Sequence, residues 1–288
     1  MKPNNPDQNP IPPTLLSRNS SEVSRWVRHV VSLGAILSAF LEFGAQAQYS
    51  PPTSGLVSWW RAEGNATDSA DSNHGSLLNG ASYAPGLFGS SYSYDGLNDH
   101  VRVADNANLR LTTAITLGAW VNPSAHGAYH SIIDKWDIVG GVNGRAYSFA
   151  IHPNGEAYLT LSAAGTDALV GIAFTTNTAI ALNAWTHLAA SYDGANVRIY
   201  VDGLLKGQTA YSSGIFPGTD DLGIGGTVGG GAVGQVLSAF SGQIDEAVIY
   251  NRALSPNEIL TLATVPEPST MGLILLGFAG MVFKARKR

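Results

Sequence analysis

The chain has 288 residues, no cysteine and a formal net charge of −5, which excludes disulfides, thiolate nucleophiles and cysteine-ligated zinc. Residues 48–264 alone hold 8 Lys and Arg against 17 Asp and Glu, a net charge of −9. Because a nucleic-acid-binding domain needs a basic face, this acidic segment argues against nucleic acid as a partner.

Residues 1–47 predict a secretory signal peptide with a long leader. The basic residues Arg25 and Arg28 precede an apolar stretch, which ends at the small residues Ala45 and Ala47. This order is typical of export signals and predicts cleavage after Ala47, with the Sec translocon as a partner. The alternatives are a buried helix of the folded domain and a membrane anchor. The anchor is disfavoured because the stretch is shorter than the ~20 residues that a spanning helix needs.

Residues 48–264 predict a single all-β domain. Short alternating or apolar runs recur between glycine-containing turns. The pairs Asp202-Gly203 and Asn154-Gly155 predict two-residue hairpins with type I′ turns, in which both central residues have positive φ. The predicted strands are Leu56–Arg61, Ser90–Tyr94, His100–Val103, Ile115–Val121, Ser131–Lys135, Tyr147–Ile151, Ala157–Leu161, Trp185–Tyr192, Val197–Val201, Leu222–Ile224 and Gln243–Tyr250.

One short helix is predicted near the end of this domain. Ser255 is typical of an N-cap, Pro256 of the first helical position, and Glu258 completes a capping box. Eleven or more strands with one short helix indicate a two-sheet antiparallel sandwich of the jelly-roll kind.

Residues 265–288 form a three-part tail that begins with the proline-rich handle 265–270. Pro266 and Pro268 flank Glu267 in this handle. Because proline fixes φ and disfavours helix at the residue before it, the handle is expected to be extended and readable by a processing enzyme.

An apolar run at 271–283 and a basic end at 284–288 complete the tail. The run predicts a C-terminal transmembrane helix, which is short and depends on tilt or membrane thinning, and the basic end is expected to stay cytoplasmic. The tail resembles the PEP-CTERM sorting signal. The resemblance implies an exosortase-type processing enzyme as partner, an inner-membrane intermediate, and delivery to the outer surface or extracellular matrix of a Gram-negative bacterium.

The domain resembles the laminin-G-like (LamG) jelly rolls, which are related to concanavalin A-like lectins and glucanases. That family is functionally diverse, so the resemblance implies the fold and leaves the activity open. The matching motifs, in order, are Gly55–Trp60, Tyr94–Gly96, Ile115–Val121, Trp185–Ala189, Tyr200–Gly203 and Gly242–Ser255.

The LamG resemblance also implies a structural calcium ion. Its ligands would be the Asp245 carboxylate and the Gly96 carbonyl, helped by Glu63 or Asp99, which suits the oxygen ligands of Ca²⁺. The alternative is that Asp245 caps backbone amides at a sheet edge. Asp245 and the adjacent Glu246 are expected on opposite faces of their strand, and therefore not to act as an acid/base pair.

Three side chains around the predicted strand Ser131–Lys135 are candidates for glycan binding, namely Tyr129, His130 and Trp136. Aromatic rings stack on the apolar faces of sugars. The alternative is that Trp136 only shields a loop.

Glycoside hydrolysis needs two carboxyls facing one cleft. No catalytic residues are predicted, because no two acidic residues have the spacing that would place them on one strand face in this way. Asp134 and Asp137 come nearest, and their spacing places them on opposite faces of a continuing strand. His187 is expected to be a packing residue.

These features predict an exported cell-surface or matrix protein with a non-catalytic LamG-like domain for adhesion or carbohydrate recognition. Two alternatives are a carbohydrate-active enzyme of the same fold and a purely structural surface protein.

Overall fold

The chain folds as an antiparallel sandwich of two β-sheets, seen in a computed structural model that describes residues 49–137, 144–228 and 238–265. All of these residues fall within a unit spanning 47–267. The predicted signal residues Ala45 and Ala47, the handle residues Pro266, Glu267 and Pro268, and the predicted transmembrane run 271–283 lie outside the described residues. Within the described ranges, no helix has the length and apolar character of a membrane span.

Fifteen strands, one α-helix and one 3₁₀ turn occur in the described residues. The first eight strands are β1 (Leu56–Trp60), β2 (Gly75–Leu78), β3 (Ser82–Pro85), β4 (Ser90–Asp95), β5 (His100–Val103), β6 (Ile115–Pro123), β7 (His130–Trp136) and β8 (Arg145–Ile151). The other elements are β9 (Glu156–Gly165), β10 (Val170–Ala179), β11 (Thr186–Tyr192), β12 (Asn196–Val201), β13 (Leu204–Ala210), β14 (Leu222–Ile224), β15 (Ser241–Tyr250), α1 (Pro256–Leu262) and the turn Ala107–Leu109.

The strands form two sheets in which every neighbouring pair is antiparallel. Sheet A has the order β13-β12-β11-β6-β15-β4-β3, with β1 added against β15. Sheet B has the order β10-β9-β8-β7-β14-β5-β2. The predicted all-β jelly-roll sandwich is confirmed. All eleven predicted strands are present, and β2, β3, β10 and β13 were not predicted.

The main core lies between the two sheets, where alternate strand residues meet. Leu117 and Val121 of sheet A and Phe149 and Leu159 of sheet B are fully buried there. This alternation leaves the next residue of each strand on an outer face.

A second apolar cluster covers the outer face of sheet A. Trp120, Val248 and Tyr250 pack there against Ile259 and Leu262 of α1. The predicted helix start is confirmed, because the Ser255 side chain accepts a hydrogen bond from the Glu258 amide in a complete capping box. His187 is fully buried on the same face with its ring 5.3 Å from that of Trp120.

One of the two predicted type I′ turns is confirmed. Asp202 and Gly203 have φ of 48° and 78°. The prediction for Asn154-Gly155 is wrong, since only Gly155 has a positive φ, at 88°. The His152 amide donates to the Glu156 carbonyl oxygen at 2.8 Å, so the loop has three residues, 153–155, and not two. The Asn154 Oδ1 accepts a hydrogen bond from the Glu156 amide at 3.0 Å.

Gly242 in β15 lies close to the neighbouring strand β6, and Gly64 in a loop provides a comparison without such a neighbour. Gly242 has φ 128°, and a Cβ there would lie 2.2 Å from the Asn122 carbonyl oxygen. Gly64 has φ 68° with nothing within 4 Å of the corresponding position. We expect Gly64→Ala to lower the free energy of unfolding by about 1–2 kcal/mol from backbone strain alone. Gly242→Ala should cost roughly 2 kcal/mol more because it also pushes strands apart. Urea unfolding measures both, and equal losses would contradict the close β15–β6 packing.

Candidate functional site

A cavity of about 320 Å³ opens on the outer face of sheet B. This volume lies at the lower end of the range typical of small-ligand sites, roughly 300–1,000 Å³. Adjacent strands β7 to β10 and the turns beside them supply most of its walls. The residues that define it chemically are Tyr129, Asp134, Trp136, His152, Tyr158 and Phe174. We call it the sheet B pocket.

The strand pleat sends these side chains outward. In β9, Leu159 points into the main core while Tyr158 and Thr160 on either side line the pocket. In β8, Phe149 faces the core and Ser148 faces the pocket. The pocket is therefore a consequence of the same alternation that builds the core.

Strand β10 places its large apolar side chains on the outer face of the sheet and its small residues on the inner face. Its large residues Val170, Ile172 and Phe174 point outward and are 36–37% exposed, whereas Gly171 and Ala173 point inward. Exposed apolar side chains gathered on one wall of a cavity are typical of binding sites.

The rings along this wall contact one another, His152 edge to face with Tyr129 and Phe174, and Phe174 tilted by 30° against Tyr158. Tyr129 lies 5.1 Å from His152, His152 lies 5.7 Å from Phe174, and Phe174 lies 5.3 Å from Tyr158, measured between ring centroids. Such pairs stabilise each other's orientation. They hold a rigid aromatic surface open to solvent, and Tyr129 is 47% exposed.

Asp134 lies at the floor of the sheet B pocket and is 1% exposed. Its Oδ2 accepts hydrogen bonds from Ser131 Oγ at 2.8 Å, Ser148 Oγ at 3.2 Å and Thr227 Oγ1 at 2.6 Å. Its Oδ1 has no hydrogen-bond partner among the described residues. Burial raises the pKa of Asp134 to about 6, and the three hydroxyl donors oppose that rise. In the sequence, Asp134 stands out only as half of a possible catalytic pair with Asp137, and nothing there marks it as a binding residue.

Two of the three predicted glycan-binding residues line the pocket. Tyr129 and Trp136 lie on its wall, and the Arg145 guanidinium sits 5.7 Å from the centroid of the Trp136 ring. His130 does not line it. Its Nδ1 lies 2.9 Å from the Ala239 carbonyl oxygen, and its ring packs on Phe240 of the main core.

A pair of buried carboxyls occupies the outer face of sheet A. Strand β15 pairs with β4 through Ile244 and with β1 from Ala247 onward, and the register shifts between these two segments. Ile244 and Ala247 both face the main core, so the two residues between them share the outer face. The expectation that Asp245 and Glu246 point to opposite faces is therefore wrong. A β-bulge, with φ 52° at Glu246, inserts the extra residue.

Hydrogen-bond donors from sheet A and its loops hold this acid pair. Asp245 Oδ2 accepts from the amides of Leu87 and Phe88, each at 3.0 Å, and Glu246 Oε2 accepts from the Trp59 indole. Burial raises the pKa of Asp245 to about 7, with the nearby Glu63 adding to the effect. Burial also raises the pKa of Glu246 to about 8, and the charge of Asp245 raises it further.

Asp245 and Glu63 both accept hydrogen bonds from the loop of residues 86–90. Asp245 accepts from the Leu87 and Phe88 amides, which is the capping role given above as the alternative to calcium binding. Glu63 Oε2 accepts from the amide of Ser90 at 3.3 Å.

The other two predicted calcium ligands lie elsewhere. Asp99 Oδ2 accepts from the Asp95 amide at 3.0 Å beside Gly96. Asp95 pairs with Ser241, four residues before Asp245, which is about 13 Å along a strand. The structure thus does not bring Gly96 and Asp99 to Asp245. Within the described residues, no three acidic or histidine side chains are grouped to hold a metal. Bound calcium stays a prediction.

Two family models match the chain. One, described as the concanavalin A-like lectin/glucanases superfamily, matches residues 95–260, and the other, the PEP-CTERM protein-sorting motif, matches residues 264–288. Comparison with curated proteins gives no match.

Several solved structures share the fold. Domain 4 of AbnA, a GH43 extracellular arabinanase from Geobacillus stearothermophilus solved in complex with arabinotriose, superposes with a TM-score of 0.57 at 21% identity. The match covers 73% of this chain and 98% of that chain. The ligand-binding domain of botulinum neurotoxin serotype D, solved in complex with N-acetylneuraminic acid, superposes with a TM-score of 0.54 at 12% identity. That match covers 73% of this chain and 51% of the toxin domain, so only about half of the toxin domain corresponds.

The acid pair predicts a pH-dependent stability. The pKa values of Asp245 and Glu246 are higher in the folded protein than the ordinary values of 3.8 and 4.5. The stability that these protonated groups contribute is therefore complete below about pH 4 and is lost as the pH rises to about 8. Between pH 6 and 8.5 the wild-type protein should lose free energy of unfolding as Glu246 ionises. The Glu246→Gln variant should lose about 2 kcal/mol less over the same range.

Urea unfolding at both pH values measures the effect. Glu258→Gln is the control, because the Arg252 guanidinium and Ser255 lower the pKa of Glu258 to about 2, so its contribution is constant over this range. A pH slope in Glu246→Gln equal to that of the wild type would contradict the buried acid pair.

Proposed function

The chain belongs to the concanavalin A-like lectin/glucanases superfamily and ends in a PEP-CTERM sorting motif, and on this premise we propose that it is a surface protein that binds a glycan without cleaving it. The motif indicates an exported protein that is sorted to the cell surface in Gram-negative bacteria. We assign glycan binding to the sheet B pocket.

The outward-facing aromatic wall of this pocket carries the proposal. Phe174, Tyr158 and Tyr129 present apolar ring surfaces beside the hydrogen-bonding groups of Asp134 and Thr160. Sugars combine apolar C–H faces with hydroxyl groups, and sites for them combine rings with a few fixed polar groups. The bound arabinotriose and N-acetylneuraminic acid of the two structural neighbours support a saccharide ligand for this fold.

Binding is favoured over hydrolysis by the arrangement of the carboxyls. Hydrolysis needs two of them across one cleft, roughly 5–9.5 Å apart. Asp134 is the single acidic residue among the described residues that line the pocket. Asp245 and Glu246 belong to sheet A, where the amides of Leu87 and Phe88 and the Trp59 indole hold them, so neither faces Asp134 across the pocket.

The route to the surface combines both ends of the chain. The Sec translocon would deliver the protein through the signal at residues 1–47, and the sorting tail would hold it in the inner membrane for an exosortase-type enzyme. Its destination would be the outer surface or the extracellular matrix, where a glycan-binding domain supports adhesion.

Glycan binding should depend on Phe174. Because this ring is on the open wall, Phe174→Ala should weaken binding of the best-bound glycan from an array about tenfold, or ~1.4 kcal/mol, without unfolding the protein. Leu205→Ala is the control, since Leu205 is 52% exposed on sheet A and does not line the pocket. Titration calorimetry measures both. A protein that binds no glycan and releases no sugar from polysaccharides would favour the structural alternative, and release of sugar would favour the enzyme.

Processing should depend on the handle. Replacing Pro266-Glu267-Pro268 with three alanines should leave an unprocessed, membrane-retained protein, because the two prolines that restrict φ are lost. Cell fractionation with mass spectrometry measures the product, and Leu260→Ala, an exposed change just upstream, should mature normally. Normal maturation of the triple variant would contradict the proposed route.

A further inference from the structure

We infer that the sheet B pocket selects glycans that carry a free amino group, with Asp134 Oδ1 accepting a hydrogen bond from the sugar ammonium. This inference rests on the proposed glycan-binding function and names the chemical class of the ligand.

The hydrogen bonding of Asp134 is one-sided. Three hydroxyl donors from Ser131, Ser148 and Thr227 converge on Oδ2 and fix the carboxyl group in place. Oδ1 is buried and receives no hydrogen bond within the described residues. A buried carboxylate oxygen without a donor is costly, so a ligand that supplies one gains the full benefit of that contact.

Asp134 also lacks a cationic partner. None of the ion pairs in the described residues involves it, and no Lys or Arg is among the described residues that line the pocket. Arg145, which contacts Trp136, is paired with Asp167. The segments 138–143 and 229–237, outside the described residues, contain no charged residue in sequence. A cationic ligand group would therefore be the counter-ion that Asp134 lacks, whereas an acidic sugar would be repelled.

The aromatic wall suits the same ligand. Tyr129, Tyr158 and Phe174 line the same pocket as Asp134, and an ammonium group within about 6 Å of an aromatic ring centroid is attracted to its face. A neutral sugar could stack on the rings and donate a hydroxyl hydrogen bond to Asp134, but it would lack the attraction between an ammonium group and the carboxylate. The combination of carboxylate and rings favours the amino sugar.

The test uses the full chain and three oligosaccharides of equal length. Glucosamine and N-acetylglucosamine oligomers differ only in whether the amino group is free, and galacturonic acid oligomers carry carboxylates. Titration calorimetry at pH 7 should show the glucosamine oligomer binding at least tenfold more tightly than the N-acetylated one, with no binding of the galacturonate. Asp134→Asn keeps an acceptor for the three hydroxyls and should remove the preference.

Asp71→Asn is the matched control. It removes the same charge from an exposed position outside the pocket, and it should leave the preference unchanged. An equal loss in both variants would show general attraction to an acidic protein and overturn the inference. So would equal affinity for the free and N-acetylated oligomers, tighter binding of galacturonate, or binding of other array glycans only. Failure to bind any glycan on the array would instead overturn the proposed function.

Discussion

Both outer faces of this sandwich are organised around buried carboxyl groups that form no ion pair within the described residues. Asp134 on sheet B is held by hydroxyls, Asp245 on sheet A by backbone amides, and Glu246 by an indole N–H. Each arrangement draws donors from loops or strands distant in the sequence, because a buried carboxyl must be hydrogen-bonded. The two faces differ in access. Loop residues Leu87 and Phe88 contact Asp245 and the Trp59 indole contacts Glu246, whereas Asp134 lines the open sheet B pocket.

The strands that sequence could predict are those whose apolar residues point inward. Val197–Val201 alternates in this way and was located correctly. Strand β10 inverts the rule, since Gly171 and Ala173 face inward while Ile172 and Phe174 face solvent. Strand β13 is exposed along nearly its whole length and has no buried face to mark it. Neither pattern carries the amphipathic signal on which strand prediction depends.

From the sequence, only those site residues could be predicted whose shared face follows from their spacing along one strand. Asp134 and Trp136 are two residues apart, so the strand period places both on one face. The contributions of Tyr158 and Phe174 depend on which strands become neighbours, a non-local property. Asp245 and Glu246 share a face because β15 pairs with β4 up to Ile244 and with β1 from Ala247 onward, with a bulge between the two segments. The local sequence does not predict this bulge.

The central claim is that ligand recognition occurs above Asp134 and not at the acid pair of sheet A. A crystal structure of the protein with a bound glucosamine oligomer tests this most directly. The account predicts a sugar ring against the Tyr158 and Phe174 side chains, with its nitrogen within about 2.7–3.2 Å of Asp134 Oδ1. Density for the sugar on sheet A, or in the pocket with its nitrogen turned away from Asp134, would contradict it.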